Sequence, residues 1–295
     1  MRTPDERFEA LPGFPYAPRY LEWRGLRAHY IEAGKGERTF LCLHGEPTWS
    51  YLYRRMIPAF LKPDTRRAAP DFRVVAPDFI GFGRSDKPEE EALYTFDFHR
   101  RFLLDFIGRQ DLRRITLVVQ DWGGLLGLTL PMEMPERFER LLVMNTALAG
   151  GDAPLSEGFL AWRAYVARTP DIECGKLMSR TCPHLTPREI AAYDAPFPDL
   201  KSKAGVRRFP QLVPESRDDP GAALSRKARD WLASSWKGES FMAIGVKDPV
   251  LGAPVMMELR KSIRGCPEPY LVQNGGHFLQ EWGEEVAAAA LKHWS

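Results

Sequence analysis

The sequence predicts an α/β protein with a mostly parallel, doubly wound sheet and a helical insertion. Three observations predict it. Short apolar, β-branched runs alternate with longer windows of helical periodicity. Most of those runs are continuously apolar, as in strands buried on both faces of a parallel sheet. The alternation also stops between about residues 150 and 225 and then resumes.

The strand candidates, in order, are Leu26–Ile31, Thr39–Leu43, Arg73–Ala76, Ile115–Val119, Leu141–Met144, Phe241–Val246 and Tyr270–Gln273. Helical windows fall at Ser50–Leu61, Asp97–Gln110, Leu125–Met134, Val255–Ile263 and Glu284–His293. Right-handed crossovers would join them, with an active site at the carboxyl ends of the strands. The expected organisation is a core of residues 1–150 and 226–295 around a helical cap of residues 151–225. An insertion leaving a strand's carboxyl end covers the site as a lid.

Charge narrows the function. Lys plus Arg number 41 against 39 Asp plus Glu, a net charge of +2. A nucleic-acid binder or a polybasic membrane protein shows a basic excess. Residues 1–10 carry five charged side chains and no apolar run, unlike a secretory signal. No stretch reaches the roughly 18 apolar residues of a membrane helix. The cysteines are Cys42, Cys174, Cys182 and Cys266, with no C-x-x-C pair. They read as reduced thiols of a cytoplasmic protein, with Cys42 in the core and neither metal nor cofactor required. Nothing demands more than a monomer.

The chemistry concentrates at Ile115–Gly124, ITLVVQDWGG. An apolar strand runs into an acid, one residue, two glycines and a helical pattern. That is the shape of a nucleophile elbow, with Asp121 where a serine often stands. An Asp there also serves as a helix N-cap, worth about 1 kcal/mol. As a nucleophile, a carboxylate attacking an sp3 carbon forms an ester, which water must then hydrolyse with a general base. His277, in QNGGHFLQEW after the last strand candidate, suits the base. Asp248, after Phe241–Val246, suits the acid that orients it. Asn145 occupies the other acid position and carries no charge. His44 reads as a loop former. Backbone N–H groups of Glu46 and Trp122 would form the oxyanion hole.

These motifs resemble the haloalkane dehalogenases of the α/β-hydrolase fold over nearly the whole chain. The resemblance rests on residues 44–49 (HGEPTW), 78–86 (DFIGFGRSD), 120–124 (QDWGG), 245–248 (GVKD), 275–278 (GGHF) and, in the insertion, 158–162 (GFLAW). The first three sets are shared with epoxide hydrolases. The resemblance implies a halogenated alkane as substrate, with alcohol and halide as products. It implies Trp122 and Trp162 as the halide-holding pair, in the subgroup whose triad acid follows the later strand. An indole N–H is a donor without acceptor capacity, suited to a departing anion. By position it also implies pocket roles for Phe159, Leu125, Phe197, Pro198, Val250 and Leu251. Pro249 after the acid, and Leu125 in place of a bulkier aromatic, depart from the family pattern and bear on substrate preference. Two other functions compete. An epoxide hydrolase would use the same Asp121 and His277 with Tyr165 or Tyr193 as ring-opening acid. A ligand-binding descendant of the fold would have no turnover.

Overall fold

The computed structural model describes residues 1–62 and 72–295. Eight strands form one sheet: β1 Arg19–Trp23, β2 Leu26–Gly34, β3 Arg38–Leu43, β4 Phe72–Pro77, β5 Ile115–Val119, β6 Phe138–Met144, β7 Glu239–Gly245 and β8 Tyr270–Val272. Their spatial order is β1-β2-β4-β3-β5-β6-β7-β8. The β1–β2 and β2–β4 pairs are antiparallel, and every pair from β4–β3 to β7–β8 is parallel. The central strand β5 is buried at all five positions, as its unbroken Ile-Thr-Leu-Val-Val run requires.

All seven expected strands are present. β1 was not expected, because Arg19 and Glu22 break its apolar run and three of its five residues are exposed. It is an antiparallel edge strand, for which one-sided burial suffices.

The helices are α1 Ile57–Phe60, α2 Phe96–Arg109, α3 Trp122–Gly127, α4 Glu157–Arg168, α5 Cys174–Thr181, α6 Pro187–Asp194, α7 Ala204–Arg208, α8 Ala222–Ser234, α9 Ala253–Lys261 and α10 Gly283–His293. Two expectations need correction. The window Ser50–Leu61 splits into a 3₁₀ turn, Ser50–Arg55, and the short α1, with Pro58 at the start of the latter. The window Leu125–Met134 begins earlier, at Trp122, and ends at Gly127, before Pro131. The α2 helix starts as its sequence dictates: the Thr95 hydroxyl accepts from the Phe98 N–H at 3.1 Å.

Between β6 and β7 the described chain is helical, from α4 to α8. The α8 helix runs through residue 226, where the return to the core was expected. Two buried apolar clusters pack on the two faces of the sheet: one holds Phe79, Phe102, Phe106, Trp122 and Phe209, the other Phe40, Trp49, Tyr53, Phe60 and Leu279. Cys42 is fully buried in the second.

Candidate active site

The site is built from four strand ends. The turn after β5 holds Asp121 at φ 50° and ψ −127°. A side chain other than glycine is uncommon there, and the surroundings hold it in place. The Asp121 N–H donates to the Asn145 carbonyl at 3.0 Å. Its own carbonyl accepts from Gly124 and Leu125 N–H and from the Thr146 hydroxyl at 2.7 Å. A Cβ at Gly123 would strike the Leu43 carbonyl, so only glycine lets α3 pass this close to β3. A side chain at Gly45 would strike the Asp121 carboxylate itself.

The Asp121 carboxylate thereby faces two partners. Its Oδ1 accepts the Glu46 backbone N–H at 2.8 Å. Its Oδ2 lies 3.6 Å from His277 Nε2. Both side chains keep some exposure, 16% and 12%. His277 stands on the loop after β8, and its Nδ1 is 2.9 Å from Asp248 Oδ2. Asp248 follows β7, with a fully buried side chain. Its Oδ1 accepts the Val250 N–H at 2.8 Å, and its Oδ2 also accepts the Asn145 amide at 2.8 Å. Burial alone would push the Asp248 carboxyl up, but His277 and these donors hold it below its ordinary value. Burial pushes His277 down, but Asp248 and Asp121 outweigh it and raise the imidazole to about 10.

Sequence reasoning missed Gln120. Its amide nitrogen lies 3.0 Å from His277 Nε2 and donates to the His277 carbonyl at 3.1 Å. The carbonyl fixes the amide's orientation, and the Gln280 amide faces the Gln120 oxygen at 3.4 Å. An amide N–H pointing at Nε2 favours a lone pair there, whereas the Asp121 carboxylate favours a proton. The only signal in the sequence was adjacency to Asp121. Asn145 was read merely as uncharged. It bridges two strand ends, donating to Asp248 while its oxygen accepts the Gly245 N–H at 2.8 Å.

The Glu46 side chain is buried, and its Oε1 has no hydrogen-bond partner. Burial pushes its carboxyl well above the ordinary range, and Asp121 pushes the same way; His277 and the Trp162 indole oppose them. Trp162, half-buried on α4, stacks on Tyr165 with ring centroids 5.8 Å apart. His44 behaves as a loop former, its Nε2 accepting the Phe79 N–H at 3.0 Å.

In front of Asp121 opens a cavity of about 450 Å³. Asp121, Trp122, Leu125, Phe159 and Leu251 line it. Trp162, Phe197, Pro198 and Val250 do not. Phe197 is buried against Phe82, and Pro198 is exposed at the surface. Val250 lies in the backbone bonds that hold Asp248 and Ser156. The two tyrosines of the epoxide reading point elsewhere. The buried Tyr193 hydroxyl donates to Glu281 and accepts from Arg54, and Tyr165 lines a separate surface hollow beside Asp171 and Lys176. Among the described residues, no group of three His, Cys, Asp or Glu side chains is placed to hold a metal ion, and no helix is long and apolar enough to cross a membrane.

The family model of the alpha/beta hydrolase fold matches residues 38–284. A haloalkane dehalogenase of Psychrobacter cryohalolentis is 42% identical over 298 residues, covering 97% of this chain and 95% of its own. Haloalkane dehalogenase 1 of Mycobacterium tuberculosis is 40% identical over 304 residues, covering 100% and 98%. The solved haloalkane dehalogenase of Paraglaciecola agarilytica NO2, described as tetrameric, superposes with a TM-score of 0.94 at 48% identity, over 99% of this chain and 97% of that one. Sheet order, elbow and family match together define an α/β-hydrolase. Within that fold the chain belongs to the haloalkane dehalogenases, hydrolases acting on carbon–halide bonds.

Proposed function

We propose that the protein hydrolyses haloalkanes through an ester on Asp121, with the residue roles set out here. One observation carries the reading: the Asp121 carboxylate stands at a strained turn facing a cavity, one oxygen on a backbone N–H and the other toward an imidazole.

Asp121 Oδ2 attacks the halogen-bearing carbon in line. The C–O bond forms as the carbon–halogen bond breaks, and the halide leaves with the bonding pair. The indole N–H groups of Trp122 and Trp162 receive it. Trp122 is supported by its place in the cavity wall. Trp162 is supported by its position beside Glu46 and by the resemblance, though it stands outside the cavity wall.

Esterification removes the charge of Asp121, one of the two carboxylates that raise His277. What remains at Nε2 is the Gln120 amide donor and the burial of the ring. Both favour the neutral imidazole, with its proton on Nδ1 toward Asp248. The lone pair on Nε2 then takes a proton from water as that water attacks the ester carbonyl. Oδ1, already on the Glu46 N–H, becomes the oxyanion, and the Trp122 N–H is its second donor. Alcohol leaves, Asp121 regains its charge, and the proton passes from His277 to solvent. Ester formation thus lowers the proton affinity of His277 at the step that needs a base, although Asp248 still raises it.

Residues 151–225 act as the cap over this chemistry, through Phe159 and Trp162 of α4. Four cysteines without a disulfide support a cytoplasmic setting. Mixing enzyme with a bromoalkane and quenching within one turnover tests the reading: intact-mass analysis should show one alkyl group per chain on the peptide holding Asp121. Turnover without any adduct, in wild type and in a His277 variant alike, would overturn it.

A further inference from the structure

We propose that this site takes elongated haloalkanes, on the order of ten heavy atoms long and ending in an uncharged hydrogen-bonding group. The inference rests on the reading of Asp121 as nucleophile and adds the substrate class.

The cavity is not confined to the reacting carbon. From Asp121 and Trp122 it continues along α9, reaching Val255, Glu258, Leu259 and Ser262. These positions share one helical face. Val255 to Ser262 alone covers about 10 Å at the α-helical rise. A volume of about 450 Å³, at about 30 Å³ for a water-sized unit, accommodates on the order of ten heavy atoms or more. A two-carbon haloalkane would leave most of that space to solvent and would dehydrate little of the wall.

The Ala147–Ala153 stretch also lines the cavity, and five of its seven residues, all but Leu148 and Asp152, present small side chains or none. Leu125, Phe159 and Leu251 give the wall an apolar part that suits methylenes. Toward the C-terminal end of α9 the lining turns polar, through Glu258 and Ser262, and Arg229 of α8 adds a further polar group. Each of these charges already has a partner: Arg229 binds Asp152, with Nη1 to Oδ1 at 3.1 Å, and Glu258 accepts from Lys261 at 2.6 Å. A charged head group would find no free counter-charge there. A hydroxyl or amide finds donors and acceptors.

Initial-rate halide release from 1-bromoalkanes of two to ten carbons, with the matching ω-bromoalcohols and ω-bromocarboxylates, tests this. kcat/KM should rise about threefold to fourfold per added methylene and level off near the longest chains. The bromoalcohols should match or exceed the bromoalkanes, and the bromocarboxylates should fall about tenfold below them. Ala149→Trp should flatten the dependence on chain length, with bromoethane turnover reporting that the variant is folded. A maximum at two to four carbons, or a slope that Ala149→Trp leaves intact, would overturn the proposal while leaving Asp121 in its role. Halide from none of these substrates would remove both readings together.

Discussion

The two sides of this site are held by different forces. On the sheet side, Asp121, Asp248 and His277 are fixed by directed hydrogen bonds from backbone and side chains at the strand ends. Asp248 has three such partners within 2.9 Å, and Asp121 is gripped at its N–H, carbonyl and carboxylate. On the helical side, α4 buries only Val166 of its twelve residues. Trp162 stacks on Tyr165, packs against the apolar core and sets its indole against the buried Glu46 carboxyl. Directed bonds fix an atom to a few tenths of an ångström, whereas packing of a half-buried ring fixes it less sharply. On the proposed mechanism, the chemistry falls to the sheet side and adaptation to substrate to the helical side.

Substitutions on the sheet side should hurt far more. Asp121→Ala removes the proposed nucleophile, and kcat/KM should fall about 10⁴-fold or more. Stopped-flow halide release should show no first turnover. His277→Gln leaves that first step in place: halide appears in a burst of one per enzyme while steady turnover drops about 10³-fold. An ester-free His277→Gln enzyme without a burst would place the imidazole in the first step instead.

On the helical side, Trp162→Phe deletes one donor to a weakly basic anion. The expected loss is about tenfold in kcat/KM, within the range for a hydrogen bond to a charged group. Trp122→Phe, in the rigid elbow and in the cavity wall, should cost more, about 10²-fold. Equal losses would erase the contrast between the two sides. A larger loss at Trp162 would reverse it.

Gln120 sharpens the sheet side further. Its amide favours the neutral imidazole, so removing it raises the pKa of His277. The base then stays protonated to higher pH, and the acid limb of the kcat profile should move up by about one pH unit in Gln120→Leu. Well below the limb that costs about tenfold, and well above it nothing. A drop in kcat with an unmoved limb would reduce Gln120 to packing.

The sheet side was also the legible side. Continuous apolar runs located seven strands, and a strand-acid-glycine-glycine turn located Asp121, because a tight strand-to-helix turn admits few residues. Asp248 and His277 followed from chain order. Gln120 stayed hidden, since an amide beside a nucleophile has no periodicity of its own and its role exists only across 157 residues of sequence separation. The edge strand β1 was missed because half-exposed strands carry charges. Of the positions the resemblance implied, Phe159 in the insertion and Leu251 after β7 line the cavity, whereas Phe197, Pro198 and Val250 lie off it. Pocket contact depends on how helices tilt, and spacing does not encode tilt.

The smallest expected effect lies on the seam between the two sides. Ser156 caps α4: its Oγ accepts the Phe159 N–H at 3.1 Å and donates to the Val250 carbonyl at 2.9 Å. Val250 in turn donates to Asp248. One hydroxyl thus joins the helix that carries Phe159 and Trp162 to the loop that carries the triad acid. A Cβ at Gly158 would strike the Pro249 carbonyl, so the two segments touch through backbone as well. Ser156→Ala should cost about 1 kcal/mol as a lost cap and lower the melting temperature by about 2 °C. If the bond only caps the helix, kcat/KM should be unchanged for every substrate. If it also sets the distance from cap to core, the loss should be about twofold and larger for long chains, which contact both walls, than for bromoethane. Ser156→Thr keeps the hydroxyl and should restore both quantities.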